Sequence, residues 1–521
     1  MNSQTTLRQL LGAGEDDAIA LTAPDRPALS FGALRSLIER TGDLLAAQGL
    51  GRGDRIAIVL PNGPEMAACF VAVACHAAAA PLNPGYRDEE FAFYLADLKA
   101  GALIVAQGSD TPALATARTL GLQVFELQAG AAAGDFTLHP AVSAASAATA
   151  ASAATAARAA GPRDRGPARP EDTAMLLHTS GTTSRPKLVP LSQRNLCASA
   201  GHIARALQLG PGDRGLNIMP LFHIHGLVAG VLAPLAAGSQ VYCTPGFNAL
   251  KFFGWMALAR PTWYTAVPTM HQAILARAGH HAELIRRQPL RFIRSSSSSI
   301  APQVIAEIEA VFGAPLIESY GMTEAAHQMA SNPLPPRARR PGSVGLAAGP
   351  EIAILGEQGG LLAAGETGEV VIRGPNVTAG YEANPEANAA AFVDGWFRTG
   401  DQGRLDAEGY LHLTGRLKEI INRGGEKISP REIDEILMDH PALAQVVCFG
   451  LPHPRLGEEV AAVVVLREGH GASERELQDF VAARAADFKV PRKILFMDEL
   501  PKGATGKLQR IGLAARLGLA G

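Results

Sequence analysis

The chain reads as an α/β protein with a large N-terminal domain and a small C-terminal one. Three observations predict this. Short apolar runs alternate with helix-like segments through about residue 340, the pattern of parallel strands covered by helices. After Pro341 the texture changes to short strand candidates separated by glycine-rich turns, as in a small β-barrel or antiparallel sheet. A compact charged stretch, Arg416 to Arg423, then interrupts the chain, and the C-terminal remainder carries its own helix and strand signals. The boundary is set at about Lys418, giving domains of residues 1–417 and 418–521.

From the N-terminus, Arg55 to Leu60 (RIAIVL) is a buried strand, and Pro61-Asn62-Gly63-Pro64 is a turn that opens a helix. Met66 to Leu82 is read as a buried core helix: it is alanine-rich, holds His76, and barely reaches the length of a membrane span. Ala102 to Ala106 is a second strand. Ala129 to Arg169 has few large apolar residues with which to dock a helix and is read as a mobile surface insertion, with an exposed helix as the alternative. Glu351 to Leu355, Glu369 to Arg373 and Tyr410 to Thr414 are the short strands of the second region. Ser429-Pro430 is a helix start, with serine as N-cap and proline at the first helical position. Val463 to Leu466 is a strand of the small domain.

Composition excludes several classes. Lysine plus arginine number 47 against 49 aspartates and glutamates, a formal charge of −2. Neither nucleic acid nor an anionic membrane is an expected bulk partner. Five scattered cysteines without a CxxC pair suggest neither a disulfide framework nor a zinc site, and fit a reducing compartment. The first residues, MNSQTTLRQL, lack a signal-peptide layout, and the final RLGLAG carries no peroxisomal address. A cytoplasmic protein with no integral membrane segment is expected.

Chemistry concentrates in a few stretches. LLHTSGTTSRPK, Leu176 to Lys187, sets six small or hydroxylic residues after an apolar run and ends on two cations. Small residues let backbone approach a ligand, and successive loop amides form a concavity for anions. In MPLFHIHGL, His223 and His225 share a face if the stretch is a strand. No third metal ligand is near, so His223 is read as a pocket wall. RFIRSSSSSIAP places five serines after a strand-like run. In ESYGMTEAAH, Tyr320 suits a base, Thr323 a phosphate, and Glu324 a magnesium ion, which seeks oxygen and bridges to phosphates. Asp401, in TGD, suits two sugar hydroxyls. LPKGATGKLQR carries Lys507 in a polar segment.

Together these stretches resemble the adenylate-forming acyl-CoA synthetase superfamily. The motifs TSGTTSRPK, PLFHIHG, YGMTE, TGD, GRLKE, GGEKI and the final GK occur in family order over nearly the whole chain. Ser184 departs from the pattern, standing where the family usually carries glycine. The resemblance implies parallel-sheet subdomains plus a small β-barrel-like subdomain, with a mobile α+β lid domain at the C-terminus. It implies ATP, Mg²⁺ and CoA as cofactors and co-substrates, and a carboxylate that passes through an acyl-adenylate.

The resemblance also implies roles. Thr179, Ser180, Gly181, Thr182 and Thr183 would cradle phosphates, with Lys187 beside them. Tyr320 would lie on adenine, Thr323 near the α-phosphate and Glu324 on Mg²⁺. Asp401 and Arg416 would hold the ribose. Lys507 would stand between carboxylate and α-phosphate, and Lys418 would be the hinge. Gly424 and Gly425 would admit the pantetheine arm after the small domain rotates.

For the acid, Ser295 to Ser299 replace the Gly/Ala-rich segment of fatty-acyl relatives. Polar hydroxyls disfavour an alkyl chain, against which they would stay unpaired. Ser295, Ser297 and Ser299 share one face if extended, and Arg294 and His327 add anion partners. PTWYTAVPT, SNPLP, RGPNVT and INRGGEKISP are similar to the oxalate–CoA ligase branch, so oxalate leads, with malonate or another small acid behind it and carrier-protein loading as an alternative to CoA. A P-loop NTPase would need GxxxxGK[ST], which TSGTTSRPK lacks. A non-catalytic nucleotide-binding regulator would be expected to have lost Lys507 or Glu324.

Overall fold

The computed structural model describes residues 5–141, 166–179, 186–500 and 510–519. Four sheets organise it. One has seven strands in the order Phe136–Pro140, Gln123–Ala129, Ala102–Ala106, Arg55–Val59, Ala78–Pro81, Thr173–Thr179, Lys187–Ser192. Its interior pairs are parallel and its two edge pairs antiparallel. Arg55–Val59 and Ala102–Ala106 are almost wholly buried, as continuous apolar runs in a sheet covered on both faces should be.

A second sheet has nine strands, with a parallel interior running through Leu316–Met322, Phe292–Ser295, Trp263–Ala266, Arg214–Asn217, Gln240–Cys243 and Ile19–Thr22. The third is antiparallel and built from Glu351–Leu355, Gly368–Arg373, Phe392–Val393, Trp396–Leu405 and Leu411–Arg416. The fourth begins at Ile421–Arg423 and includes Leu443–His453, Gly457–Leu466 and Lys493–Phe496. The chain therefore leaves one sheet at Arg416 and enters the next at Ile421, with Lys418 between them.

Local signals account for the helix starts. Ser429 caps Pro430–Met438 by accepting from the Glu432 amide. Ser192 is also a cap: its hydroxyl accepts from the Asn195 amide, which opens Gln193–Ala206. Two expectations are corrected. Met66–Leu82 is not one helix; the helix runs Pro64–Ala74, and Ala78–Pro81 is a strand between Arg55–Val59 and Thr173–Thr179. Alanine carries no period of its own, so the run gave no sign of the change. The first part of the stretch expected as an insertion is sheet, because Phe136–Pro140 pairs with Gln123–Ala129; residues 142–165 lie outside the described residues. Among the described residues no helix is long and apolar enough to cross a membrane.

Candidate active site

The C-terminal ends of Thr173–Thr179, Phe292–Ser295 and Leu316–Met322 open on one cavity of about 1090 Å³. Ligands of open α/β sheets bind outside the carboxyl ends of their strands. Residues of the large domain form most of the wall, and Pro430, Arg431, Arg510 and Ile511 of the small domain complete it.

One end of the wall is built around Tyr320. The strand Leu316–Met322 carries it into the cavity, where its hydroxyl donates to Asp401 Oδ2. Asp401 Oδ1 lies 3.1 Å from Arg416 Nε, and the two residues face each other across adjacent antiparallel strands. Burial first, and then the Asp401 charge, push the Tyr320 phenol well above its ordinary range, so it stays a donor. The Asp401 charge likewise raises Arg416.

Glu324 comes next, at the turn. It is buried, and Oε1 accepts from the Tyr381 hydroxyl at 2.9 Å. Desolvation raises its pKa, a cost that a bound cation would offset. The Lys187 ammonium sits 4.3 Å from the centre of the Tyr381 ring. Among the described residues no group of three or more carboxylates, histidines or cysteines could hold a metal alone. A cation here would draw its other ligands from water and phosphate oxygens, which is how magnesium is usually held. The donor set fits that ion.

Thr179 and Lys187 are opposed across an antiparallel hairpin, and both line the cavity. Ser180, Gly181, Thr182 and Thr183, which follow Thr179 in the sequence, lie outside the described residues, as does Lys507.

The other end of the wall is polar. His223, Ser295, Ser297, Ser299 and His327 all line it, joined by Ser298. Their geometry differs from the expectation in two ways. Pro220 to Ile224 is not a strand, and His225 begins the helical turn His225–Leu232. His223 faces the cavity while His225 turns inward and is buried. The strand Phe292–Ser295 stops at Ser295, and Ser297 takes φ +73°, so the serines do not line up by strand alternation. They reach the cavity by a loop instead.

His327 is aimed by a tight turn. Its φ is +100°, and that of Ala326 is +47°. The turn needs Gly321, where an added Cβ would lie 1.6 Å from the His327 carbonyl oxygen. Arg294, expected in the pocket, is fully buried behind it. Gly424 and Gly425 form the tip of the hairpin Ile421–Arg423/Glu426–Ile428 and do not line the cavity in this arrangement.

The family model for AMP-binding enzymes matches residues 10–382, and that for the AMP-binding enzyme C-terminal domain matches 432–507. The chain belongs to the AMP-binding enzyme family. Within the family, it is 46% identical over 486 residues to a probable CoA ligase of Humulus lupulus, covering 92% of this chain and 90% of that one. It is 44% identical over 505 residues to an oxalate–CoA ligase of Arabidopsis thaliana, covering 94% and 96%. The ATP-bound structure of MatB from Rhodopseudomonas palustris superposes with a TM-score of 0.86 at 28% identity, covering 98% of each chain.

Sequence reasoning misses several members of the site. Tyr381 sits in a stretch, TAGYEAN, that has no chemical signature of its own. His225 is visible in its motif, but nothing there marks it as a partner of the serine loop. Glu318 and Arg431 line the floor from positions about 110 residues apart, a proximity that no local pattern encodes.

Proposed function

We propose that the chain is an oxalate–CoA ligase. The reaction class is that of its family: a carboxylate, ATP and CoA give an acyl-CoA, AMP and diphosphate, with Mg²⁺ as the metal. The observation that carries the choice of acid is the polar far wall, where serine hydroxyls, His223 and His327 stand where an alkyl chain would need apolar contacts. The 44% identity to an oxalate–CoA ligase supports the same reading.

In the first half-reaction a carboxylate oxygen of the acid attacks the α-phosphorus and diphosphate leaves. Both partners are anionic, so the barrier falls where cations and donors offset charge in the transition state. Lys507 takes that role between carboxylate and α-phosphate. Thr323 donates to the α-phosphate, while Thr179, the loop of Ser180 to Thr183 and Lys187 hold the outer phosphates. Tyr320 lies against adenine, held in place by its bond to Asp401. Asp401 and Arg416 take the ribose hydroxyls. Glu324 would hold Mg²⁺, which supplies charge neutralisation at the phosphates. In the second half-reaction the CoA thiol attacks the acyl carbon and AMP leaves, the thiol arm being admitted past Gly424 and Gly425 after a rotation about Lys418. Five free and buried cysteines suit a reducing, cytoplasmic setting.

The test is AMP release with CoA across oxalate, malonate, acetate and octanoate. A site built to bond a polar group rejects the analogue that lacks it. Oxalate should give the highest kcat/KM, acetate one lower by ~100-fold or more, and octanoate one lower again. His327→Ala should lower kcat/KM for oxalate and leave the KM for ATP nearly unchanged. Acetate or octanoate outrunning both diacids would remove the oxalate reading.

A further inference from the structure

Arg294 is fully buried, and its Nε has no hydrogen-bond partner. Among the described residues no carboxylate pairs with it, and burial is the one influence that shifts its charge equilibrium. A cation is rarely placed so deep without a counter-charge, because desolvation penalises its charged form. Its two terminal nitrogens are committed instead to two histidines. Nη1 lies 3.2 Å from His225 Nε2, and Nη2 lies 3.2 Å from His327 Nε2 and 3.3 Å from Gln328 Oε1. The two imidazoles stack, with ring centres 4.9 Å apart and planes at 23°.

Guanidinium has donors only, so each Nε2 that meets it must accept. An accepting Nε2 puts the proton of a neutral imidazole on Nδ1. It also occupies the lone pair that a second proton would need. On His225 the consequence is explicit. Thr265 Oγ1 lies 2.6 Å from the same Nε2 and accepts from Arg294 Nη1 at 3.4 Å, and in the tautomer that accepts at Nε2 the Nδ1–H points at Ser297 Oγ, 2.9 Å away. Ser297 then receives a hydrogen bond from behind and keeps its own hydroxyl hydrogen to donate. Ser297 lines the cavity, and its φ of +73° is a conformation serine rarely adopts, held here by the surrounding contacts.

We propose that Arg294 is a positioning residue for acid recognition: by donating to both histidines it fixes them as Nδ1–H tautomers, so that Ser297, through His225, and His327 present donors to a small anionic acid. Burial lowers the guanidinium pKa to about 9, so it stays charged at neutral pH. Its positive charge behind the wall then favours an acid whose distal end is anionic. This assignment rests on the proposal that the acid is a small dicarboxylate.

The decisive measurement is ¹⁵N NMR of histidine-labelled full-length protein, with His225 and His327 signals assigned by their loss in His225→Gln and His327→Gln. Both should show an accepting Nε2 and a protonated Nδ1, and Arg294→Met should abolish that preference. A protonated Nε2 on either ring in the native protein overturns the proposal, whichever acid is used. The kinetic test compares oxalate with acetate. Arg294→Met should cut kcat/KM for oxalate by ~100-fold and for acetate by ~3-fold or less, with an unchanged KM for ATP, and Arg294→Lys should recover part of the loss. Equal losses for both acids would mark a merely structural role and overturn it. Should Arg294→Met not fold, Ser297→Ala must show the same split at ~10-fold; a flat response there also overturns the proposal. If the native enzyme prefers acetate while the tautomers are as expected, the substrate reading falls and with it the role in acid recognition, and only the tautomer assignment stands.

Discussion

Glu318 shows how strongly position governs a single residue in this site. It is buried on the cavity floor, one residue before Ser319 and two before Tyr320, and it accepts from the Gly342 amide at 3.2 Å. Burial pushes its carboxyl up to about 8, with the Arg431 charge opposing only in part. The folded protein therefore keeps a proton that the unfolded chain releases near the ordinary value of 4.5. The stability this proton contributes is complete below that value and is lost as pH rises toward 8. Glu318→Gln keeps an acceptor for Gly342 and does not titrate. Between pH 5 and 8 the wild type should lose stability relative to this variant by up to ~1.4 kcal/mol per pH unit. Chemical denaturation of the ligand-free protein at pH 5, 6, 7 and 8 would measure it, and a constant difference across that range would refute the buried-proton account. No local feature of ESYGMTE distinguishes Glu318 from a solvated acid, since the burial that shifts it comes from elements distant in sequence.

Among the elements, the hairpin Ile421–Arg423/Glu426–Ile428 carries the next prediction. Its two tip residues, Gly424 and Gly425, have φ of +60° and +97°, the left-handed conformations that a two-residue hairpin turn demands. An added Cβ at Gly425 would meet nothing within 4 Å, so the tip is open to solvent in this arrangement. Gly425→Leu should leave ATP–diphosphate exchange within ~3-fold and cut CoA acylation by ~100-fold, because on the proposed route for the thiol arm a side chain would stand where backbone lies close to it. The strain of a positive φ falls on this turn and not on the cavity. Acylation at the native rate in this variant would end the idea that the hairpin tip admits CoA. The hairpin's glycines were legible in the sequence. Its distance from the cavity was not, because that depends on how one domain sits on the other.

The whole molecule is two bodies sharing one cavity. One apolar cluster holds Ile300, Val304 and Ile308 of the large domain together with Ile428, Leu437 and Met438 of the small one, and polar links such as Lys427 with Glu357 at 2.9 Å and Arg467 with Glu307 at 3.6 Å lie at the rim. Exposed pairs of this kind contribute little each. Arg510 and Ile511, three and four residues beyond Lys507, line the cavity in this arrangement. On the role proposed for Lys507, Lys507→Ala should lower acyl-adenylate formation by ~1,000-fold, while thioester formation from supplied adenylate should stay within ~3-fold. Single-turnover assays of each half-reaction would check this. Comparable losses in both would mean that Lys507 does not act through the adenylation arrangement alone.

By itself the sequence determined the family and the α/β class, and it named Thr179, Lys187, Tyr320, Glu324 and Asp401, which line a single cavity. Those features depend on short contiguous stretches, TSGTTSRPK, YGMTE and TGD, whose residue types suit phosphate, base and ribose almost wherever the loops are held. It also announced the cap at Ser429 and the glycine pair at 424–425, since capping and left-handed turns are local events. The sequence named the serines, His223 and His327 of the polar wall, but tertiary structure alone decided how they are held. Arg294, His225, Ser297 and His327 come from separate loops and strands, and whether a guanidinium faces the cavity or stands behind two imidazoles is settled by packing. The Met66–Leu82 run escaped the sequence for a related reason. Alanine has no period, so only the neighbouring strands Arg55–Val59 and Thr173–Thr179 decided that its last residues would join them in a sheet.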